Sequence, residues 1–267
     1  MKISVGIVGC AGRMGKILAK AVLEDKDCLL SGGTENIDKF IGQDLGKLLG
    51  QEEIGCKVLN EPEELFTISD VVIDFTTPKS TRSNIKIAQR TETPLIIGTT
   101  GLSNKDDELI NESVDNTVIV QSSNFSIGIN IIQSEIEKIS GIIGSDFDAE
   151  VLEMHHRNKV DAPSGTAIDL GKAIANGRKK TFSEVARFSR EGEVGVRKYG
   201  EIGFSTLRGG EVIGDHSVIF ASANETIKFT HNAHSRSIFS DGAMLAAKWS
   251  INVKPGLYTM RDVLGIS

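Results

Sequence analysis

The sequence predicts an α/β protein with two domains. A parallel sheet flanked by helices comes first, and an α+β domain with a mostly antiparallel or mixed, open sheet follows. Three observations lead to this prediction: short apolar runs alternate with helical patterns over the first 120 residues, a glycine-rich turn follows the first run, and the pattern changes near residue 125. Alternating strands and helices are typical of βαβ units, in which the strands lie parallel.

Five strands are predicted in the first part of the chain, at residues 3–9, 28–33, 70–76, 94–100 and 116–122. Polar segments with helical spacing lie between most of them, such as those that begin at Gly12 and Asn104. The third strand contains Val71, Val72 and Ile73 in succession. Continuous apolar strands of this kind indicate a sheet that is buried on both faces.

The second part of the chain begins with a predicted helix at 126–143, which carries one apolar stripe of isoleucines at three- and four-residue steps, Ile129, Ile132, Ile136, Ile139 and Ile143. A strand at 147–157, a helix at 164–176, an antiparallel meander over 200–233 and a last helix at about 237–250 are predicted to follow. In the last strand of the meander, Ile227, Phe229 and His231 are expected to share one face.

These elements divide the chain into two predicted domains. The first consists of residues 1–126 and is completed by 237–267, and the second consists of residues 127–236. We expect the first to bind a dinucleotide, and the second to bind substrate and to mediate oligomerisation.

Net charge, the length of the apolar runs and the spacing of the cysteines argue against several classes of protein. The net charge is −6, which argues against nucleic acid or an anionic membrane as the main partner. The longest apolar runs fall short of the roughly 20 residues that span a bilayer, and the N-terminus lacks the features of a signal peptide. Cys10, Cys28 and Cys56 form no CxxC pair, so neither a metal site nor a disulfide framework is expected. A cytoplasmic location is predicted.

The glycine-rich turn lies in the segment VGIVGCAGRMGK, where Gly9, Gly12 and Gly15 follow a predicted strand and open a predicted helix. This spacing is close to the GxGxxG fingerprint of dinucleotide-binding proteins. Glycines allow a tight turn and let backbone N–H groups approach a pyrophosphate, and the helix start adds about half a positive charge. The strand–turn–helix context favours a Rossmann-like domain over the alternative, a glycine turn that serves only structure.

Glu35 lies after the second predicted strand, where a ribose-binding carboxylate is expected. It can accept hydrogen bonds from both ribose hydroxyls of NAD, and it would repel the 2′-phosphate of NADP. The next residue, Asn36, is neutral. The sequence therefore predicts a preference for NADH, with NADPH tolerated. A solvated loop acid is the alternative interpretation of Glu35.

Two further segments of small residues, GTTG at 98–101 and SSNFS at 122–126, lie at the ends of predicted strands. Ligands of an open parallel sheet bind beyond the carboxyl ends of its strands. Small residues there would let a nicotinamide ring approach, and backbone groups could hold its carboxamide. An ordinary turn between strand and helix is the alternative for each segment.

The segment EMHHRNKVDAPSGTA, residues 153–167, contains two adjacent histidines. His155 and His156 close a predicted strand, so their side chains should point to opposite faces and have different surroundings. A single histidine is more often structural than catalytic. A pair followed by Arg157 and Lys159 indicates a site that moves a proton, with a polar loop as the alternative.

The same segment contains a helix start. Ser164 is suited to cap this helix, which leaves the backbone N–H groups of Gly165 and Thr166 in the first turn, where carboxylate or phosphate binds readily. Lys159 would add a positive charge nearby. The arrangement suits a small substrate with one or more carboxylates, and ordinary helix capping is the alternative.

Several of these segments resemble the bacterial 4-hydroxy-tetrahydrodipicolinate reductases, also called dihydrodipicolinate reductases. The resemblance is carried by VGIVGCAGRMG, DFTTP, GTTG, SSNFSIGIN and EMHHRNKVDAPSGTA, and it extends through SREGEVGVR, IGFSTLRGGEVIGDH and MRDVL. It spans almost the whole chain. The run that begins with the two histidines is far more specific than the glycine turn.

The resemblance implies an NAD(P)H-dependent oxidoreductase of lysine and diaminopimelate biosynthesis. Its implied substrate is 4-hydroxy-tetrahydrodipicolinate, a small dicarboxylate imine that is reduced to tetrahydrodipicolinate with loss of water. A cytoplasmic homotetramer, joined through the sheet of the second domain, is also implied. Two alternatives stay open: a non-catalytic, nucleotide-sensing Rossmann protein, and an NAD-dependent dehydrogenase that acts on a different small carboxylic acid.

The resemblance also implies roles for individual residues. His155 would be the acid/base group, and Lys159 the proton donor or the electrostatic partner of the substrate nitrogen; the sequence does not rank the two as donor. Substrate contacts are implied for His156, Gly165, Thr166 and Arg236. Cofactor contacts are implied for Gly9, Cys10, Ala11, Gly12, Arg13, Met14, Glu35, Gly98, Thr99, Thr100, Ser122, Ser123, Asn124 and Phe125. Asn36 replaces an arginine that some relatives use against a 2′-phosphate, which agrees with a preference for NADH.

Overall fold

The computed structural model describes residues 2–266, which form two compact units. Unit 1 contains the residues up to Ile127 together with Ser237–Gly265, and unit 2 contains Gly128–Arg236. The chain therefore leaves unit 1 at the start of one long helix and returns to it at the start of another. Among residues 2–266, none of the helices combines the length and hydropathy that crossing a bilayer requires.

The strands, in chain order, are β1 (Ile3–Val8), β2 (Cys28–Thr34), β3 (Val58–Leu59), β4 (Val71–Asp74), β5 (Leu95–Ile97), β6 (Val118–Gln121), β7 (Asp148–His155), β8 (Ala186–Arg187), β9 (Ile202–Arg208), β10 (Asp215–Ala221), β11 (Thr226–Asn232) and β12 (Gly256–Tyr258). The helices are α1 (Arg13–Glu24), α2 (Leu45–Leu48), α3 (Pro62–Thr67), α4 (Pro78–Thr91), α5 (Asn104–Ser113), α6 (Ile127–Ile143), α7 (Gly165–Gly177), α8 (Phe182–Val185), α9 (Ser237–Ser250) and α10 (Met260–Leu264), with a 3-10 helix at Asp38–Phe40.

Unit 1 is built on a seven-stranded sheet in the order β12-β6-β5-β4-β1-β2-β3. All of these pairings are parallel, which confirms the predicted Rossmann-like sheet. The chain moves outward from β1 through β2 to β3 and then continues on the other side of β1 with β4. A topological switch point therefore lies between β1 and β4, and ligands of open α/β sheets bind beyond the strand ends at such a point.

Both faces of this sheet are covered. Val71 and Ile73 pack on the side of α1 and α9, whereas Val72 packs on the side of α3, α4 and α5. All three side chains are fully buried, as their continuous apolar run predicts. The predicted strands at 70–76 and 94–100 were too long, because the chain turns out of the sheet after Asp74 and after Ile97 to form loops.

Unit 2 contains a five-stranded sheet in the order β11-β10-β7-β9-β8. β10 and β11 form an antiparallel hairpin, but β9 is separated from β10 by β7 and pairs with β7 in parallel. The mixed sheet is therefore confirmed, whereas the predicted continuous antiparallel meander over 200–233 is wrong. The chain passes from β7 through α7 and on to β9, and a crossover of this kind brings the two strands parallel.

The two faces of the unit 2 sheet differ. The apolar stripe of α6 and the buried side of α7 pack on one face, around Val151, Phe204 and Phe220, so the predicted isoleucine stripe lies on the core. In β11, Ile227, Phe229 and His231 alternate with exposed residues, as predicted. The opposite face is more open, and Leu207 on that face is 48% exposed.

Candidate active site

The glycine turn joins β1 to α1, and each glycine has a local reason. Gly9 has a φ of +68°, which glycine adopts without steric cost. Gly12 is the N-cap of α1 and has no side chain to cover the helix start. Gly15 lies directly against the turn, because a Cβ at this position would be 2.1 Å from the carbonyl oxygen of Gly9. The turn therefore needs glycine where β1 and α1 approach most closely.

The N–H groups of residues 9–12 are used inside the protein. Two of them donate to the carbonyl oxygen of Thr34 at 2.9 and 3.1 Å, and that of Ala11 donates to Glu35 Oε2 at 3.2 Å. The first turn of α1 follows, and its N–H groups lack intrahelical acceptors by helix geometry. The donors that remain for an anion are therefore those of the helix start at Arg13 rather than those of the turn itself.

A cleft of ≈ 290 Å³ lies over the carboxyl ends of β1, β2 and β4. Its position is the switch point of the sheet. The lining residues are Val8, Gly9, Gly12, Thr34, Glu35, Asn36, Asn60, Pro62, Phe75, Thr76, Thr77 and Ser80. A glycine surface, a helix start and the Glu35 carboxylate line this cleft, and such groups suit one half of a dinucleotide.

Asp74, fully buried at the end of β4, organises the loops that follow β4 and β5. One carboxylate oxygen accepts hydrogen bonds from the N–H and the hydroxyl of Thr76 at 3.0 and 2.5 Å, and the other accepts one from the Asn84 amide at 2.8 Å. The Thr99 hydroxyl accepts the N–H of Thr76 at 3.0 Å and the hydroxyl of Thr81 at 2.9 Å. The Thr99 hydroxyl is therefore engaged inside the protein. Asp74 was not predicted, although an acid that ends a continuous apolar strand is a visible signal.

Other predicted cofactor contacts are also buried. Phe125 is 1% exposed and its ring centroid lies 5.1 Å from that of Phe75. Gly98 packs against the Phe75 ring, where a Cβ would come within 2.3 Å. Cys10 is fully buried, and this burial raises the pKa of its thiol to about 12. The side chains of Cys10 and Phe125 therefore serve packing. In the next loop, Ser122 Oγ donates to the carbonyl oxygen of Asn124 at 2.7 Å.

In unit 2, a buried carboxylate gathers several predicted residues at the carboxyl end of β7. His155 ends the strand, is 8% exposed, and places Nδ1 2.5 Å from Glu153 Oε2. Arg208 lies opposite His155 in the parallel register with β9 and donates to both Glu153 oxygens, at 2.8 and 2.9 Å. The backbone N–H of Ser164 donates to Glu153 Oε1 at 3.0 Å. Glu153 therefore contacts β7, β9 and the residue that caps α7.

A second buried histidine adjoins this cluster. His216 pairs with Glu153 in the register of β10 and β7, and its Nε2 is 3.1 Å from Ser164 Oγ. Its ring centroid is 5.1 Å from that of His155. Burial and, next, the neighbouring His155 lower the pKa of His216 to about 4. Burial also lowers the pKa of His155, although Glu153 acts in the opposite direction. Both imidazoles are therefore neutral near neutral pH.

The start of α7 has the predicted form. Ser164 is the N-cap, and its Oγ accepts a hydrogen bond from the N–H of Ala167 at 3.2 Å. Gly165 is exposed, and a Cβ added there would meet open space. Thr166 is half-buried. The first turn of this helix therefore has room for an anion beside it.

The remaining predicted residues of unit 2 lie close by in sequence, with one exception. Lys159 Nζ pairs with Asp161 Oδ1 at 2.7 Å, and the lysine side chain is 21% exposed. β7 ends at His155, so the predicted strand was too long and His156 lies outside it. His156 is half-buried whereas His155 is buried, so their surroundings differ as predicted. The exception is Arg236, which lies between β11 and α9 and is partly buried.

We expect the free energy of unfolding to fall as pH drops from about 6.5 to about 4, because unfolding lets His216 take up a proton. The ordinary pKa of 6.5 applies to the unfolded chain, and the folded value is about 4. Protons in this window therefore bind preferentially to the unfolded chain, and the stabilising contribution is complete only above pH 6.5. Urea unfolding at about pH 7.5 and about pH 5 measures the change.

The matched variant is His216→Gln, which offers a side-chain amide to Ser164 Oγ but does not titrate. Its loss of stability between the two pH values should be smaller than that of the natural protein. Equal losses would show that other groups control the acid sensitivity.

Unit 1 has a parallel sheet with a glycine turn and an acid at its switch point. Unit 2 carries histidines, a lysine and an open helix start. Together these features define a two-domain NAD(P)-dependent oxidoreductase. The comparisons with known proteins are specific. The chain belongs to the dihydrodipicolinate reductase family, whose N-terminal part matches residues 3–125 and whose C-terminal part matches residues 128–264.

Relatives cover the chain almost completely. A protein named 4-hydroxy-tetrahydrodipicolinate reductase from Magnetococcus marinus is 41% identical over 266 residues, which is 99% of each chain. One of the same name from Bartonella bacilliformis is 45% identical over 263 residues, 98% of each chain. These matches confirm the resemblance and the assignment of the chain as an oxidoreductase, and they do not support the non-catalytic alternative.

Solved structures share the fold. A dipicolinate-bound dihydrodipicolinate reductase from Paenisporosarcina sp. TG-14 has a TM-score of 0.73 and 24% identity, and the match covers 97% of this chain and 98% of that one. An amine dehydrogenase from Mycobacterium smegmatis has a TM-score of 0.59 and 12% identity, with 97% and 95% covered.

Proposed function

We propose that this protein reduces 4-hydroxy-tetrahydrodipicolinate to tetrahydrodipicolinate with NAD(P)H and loss of water, in lysine and diaminopimelate biosynthesis in the cytoplasm. One structural observation supports the proposal independently of family membership. Within residues 153–167, the Glu153 carboxylate joins a neutral, buried imidazole to an open helix start, and the Lys159 ammonium lies between them in sequence. These are the groups that a negatively charged imine needs for binding and protonation.

Binding of the substrate is assigned to groups that favour anions. The backbone N–H groups of Gly165 and Thr166 bind a carboxylate at the start of α7, where the helix dipole favours negative charge. His156 contributes to the same carboxylate site, and Arg236 adds positive charge. Fixing the ring in one orientation can lower the barrier by several kcal/mol.

Proton transfer is assigned to His155 and Lys159. A reduced nicotinamide supplies hydride when it is bound, and negative charge then moves toward the ring nitrogen of the substrate. A proton held by Lys159 Nζ, or one that the His155 imidazole has first taken up at Nε2, neutralises that charge, and general acid catalysis of this kind contributes about 10²- to 10⁴-fold. In unit 1, the helix start at Arg13 and the Glu35 carboxylate would hold the pyrophosphate and the ribose of the cofactor.

The test is a coupled assay in which the preceding synthase generates the substrate and the absorbance of the reduced nicotinamide is followed. We expect oxidation of NAD(P)H only when substrate and cofactor are both present. An active synthase together with no oxidation above the rate without substrate would contradict the proposed reaction.

The cofactor preference is proposed from the surroundings of Glu35. Its two oxygens accept the N–H groups of Ala11 at 3.2 Å and of Asn36 at 3.0 Å, which holds the carboxylate beside the cleft. Lys39, the nearest cation in sequence, lies over the ring of Phe40 at 4.7 Å. The carboxylate therefore favours a ribose with free hydroxyls and repels a 2′-phosphate.

We expect kcat/KM to be higher with NADH than with NADPH. Asn36→Arg should raise kcat/KM for NADPH relative to NADH by about tenfold or more, because a charge-assisted hydrogen bond to phosphate contributes about 1.5–3 kcal/mol. Asn36→Gln is the matched neutral variant and should leave the ratio unchanged. A strong preference of the natural protein for NADPH would contradict the role given to Glu35 and Asn36.

We also propose a homotetramer joined through the open face of the unit 2 sheet. Leu152, Met154, Leu207 and Ile219 lie on that face, and they alternate with the residues that face the helices. Apolar side chains on an open sheet face are suited to contact a second sheet. Light scattering should give four times the mass of the chain, and a monomer at assay concentration would contradict this assembly.

A further inference from the structure

Both carboxylate oxygens of Glu153 are hydrogen-bonded within unit 2. The residue is 1% exposed. Oε2 contacts His155 Nδ1 at 2.5 Å and Arg208 Nη1 at 2.8 Å, while Oε1 accepts Arg208 Nη2 at 2.9 Å and the N–H of Ser164 at 3.0 Å. Burial acts to raise the pKa of Glu153, but these hydrogen bonds, that of Arg208 foremost, hold it below its ordinary value. The side chain is therefore an anion at neutral pH.

A buried anion needs a reason, because removing a carboxylate from water is costly even when it is paired. Packing alone does not supply one, since the neighbouring inward positions of β7, Ala149 and Val151, are apolar. The contacts of Glu153 instead connect the two groups to which substrate chemistry is assigned. One is the imidazole of His155, and the other is the residue that begins α7.

The contact with Glu153 determines which nitrogen of His155 is free. An ionised carboxylate only accepts hydrogen bonds, so Nδ1 carries the hydrogen and the neutral ring keeps an unprotonated Nε2. Nε2 faces Gly214, and any side chain at this position would crowd the ring, because an added Cβ would lie 3.1 Å from Nε2. His155 is therefore held in one tautomer, with the basic nitrogen pointing away from Glu153.

We propose that Glu153 is a positioning residue of the reductase: it fixes the tautomer and orientation of His155, and through the N–H of Ser164 it keeps that imidazole in register with the anion-binding start of α7. The inference rests on the proposed function, since it assigns no chemistry of its own to Glu153. A carboxylate behind a catalytic histidine acts in this way in serine proteases, where it also stabilises the imidazolium.

The charged groups around His155 shift the pKa of its imidazole, and this shift can be measured. Glu153 favours the protonated ring, whereas Lys159 and Arg208 oppose it, as burial does. His216 faces the ring from β10 and is neutral near neutral pH, and Asp161 is paired with Lys159. Loss of the Glu153 charge should therefore lower the pKa of His155, because the carboxylate that stabilises the protonated ring is removed.

The test compares Glu153→Gln and Glu153→Asp with a control variant in the same unit, Glu135→Gln. Glu135 also pairs with a cation, at 3.4 Å from Lys138 Nζ, but lies on α6 and has no assigned role. We expect Glu153→Gln to lower kcat by about 10- to 100-fold and to move the limb of the kcat–pH profile that reports His155 to lower pH. Glu153→Asp should keep the limb near its natural position, and Glu135→Gln should leave kcat within about twofold.

A merely structural role predicts a different result. A fall in kcat that is equal at every pH, with no movement of the limb, would overturn the proposal, as would an activity of Glu153→Gln within about twofold of the natural protein. If the variants do not fold, nitrogen-15 NMR of the natural protein decides, since the His155 ring must carry its hydrogen on Nδ1. The opposite tautomer refutes the proposal even when the reductase is active, and an inactive natural protein refutes the proposed reaction instead.

Discussion

Replacing Lys159 by alanine is expected to lower kcat by a factor of about 10² to 10⁴, the usual contribution of a positioned proton donor. The cost in stability should be small. The Lys159 side chain is 21% exposed and its partner Asp161 is 53% exposed, and solvent-screened pairs of this kind contribute about 0–1 kcal/mol. Steady-state kinetics and urea unfolding of the same preparation separate the two effects.

Lys248→Ala is the matched control. Lys248 is 33% exposed and pairs with Asp25 within unit 1, so the change removes a comparable ion pair at a residue with no assigned role in the reaction. Its kcat should stay within about twofold of the natural value. Full activity of Lys159→Ala would show that the assignment of proton transfer to this residue is wrong.

Lys159→Arg separates the two roles that Lys159 could have. A guanidinium keeps the positive charge but does not release its proton. If Lys159 donates the proton, the arginine variant should be as slow as the alanine variant. If Lys159 acts only as an electrostatic partner and His155 donates the proton, arginine should restore much of the rate.

Local signals in the sequence were sufficient for the long elements. The last long helix was predicted at about 237–250 and is Ser237–Ser250, and the isoleucine stripe of α6 lies on the core as expected. β3 and β8, at two residues each, were not predicted, because they are too short to show a period. The place of β9 could not be deduced either, since its pairing with β7 depends on contacts between residues more than 50 positions apart.

In the candidate site, too, local sequence was sufficient to predict some residues but not others. The histidines, Lys159 and the helix start lie on one contiguous segment, so the sequence was sufficient to propose them as candidates. Glu153 was in the same segment, two residues before His155, and the alternation of a strand already placed both on one face. What the sequence did not show was burial. Glu153 is buried because the neighbouring strands bring Arg208 and His216 to its carboxylate, and this pairing of strands could not be read from the sequence.

Replacing Gly15 by alanine is expected to weaken NADH binding at least about tenfold and to lower the free energy of unfolding by about 1–3 kcal/mol. The added Cβ would lie 2.1 Å from the carbonyl oxygen of Gly9 and 2.8 Å from the Cα of Cys10. Both are backbone atoms, so no side-chain rotation can relieve the clash and the turn must move away from α1. That movement displaces the helix start assigned to the pyrophosphate.

The matched control is Lys20→Ala, which changes an exposed residue on the same helix whose pair with Glu24 spans 3.7 Å in solvent. Titration of NADH by nicotinamide fluorescence, together with urea unfolding, should give natural values for this variant. The two measurements on Gly15→Ala then separate structure from function. If the variant loses stability as expected but binds NADH as tightly as the natural protein, the glycine turn serves only structure, and the cofactor must be held by other parts of the chain.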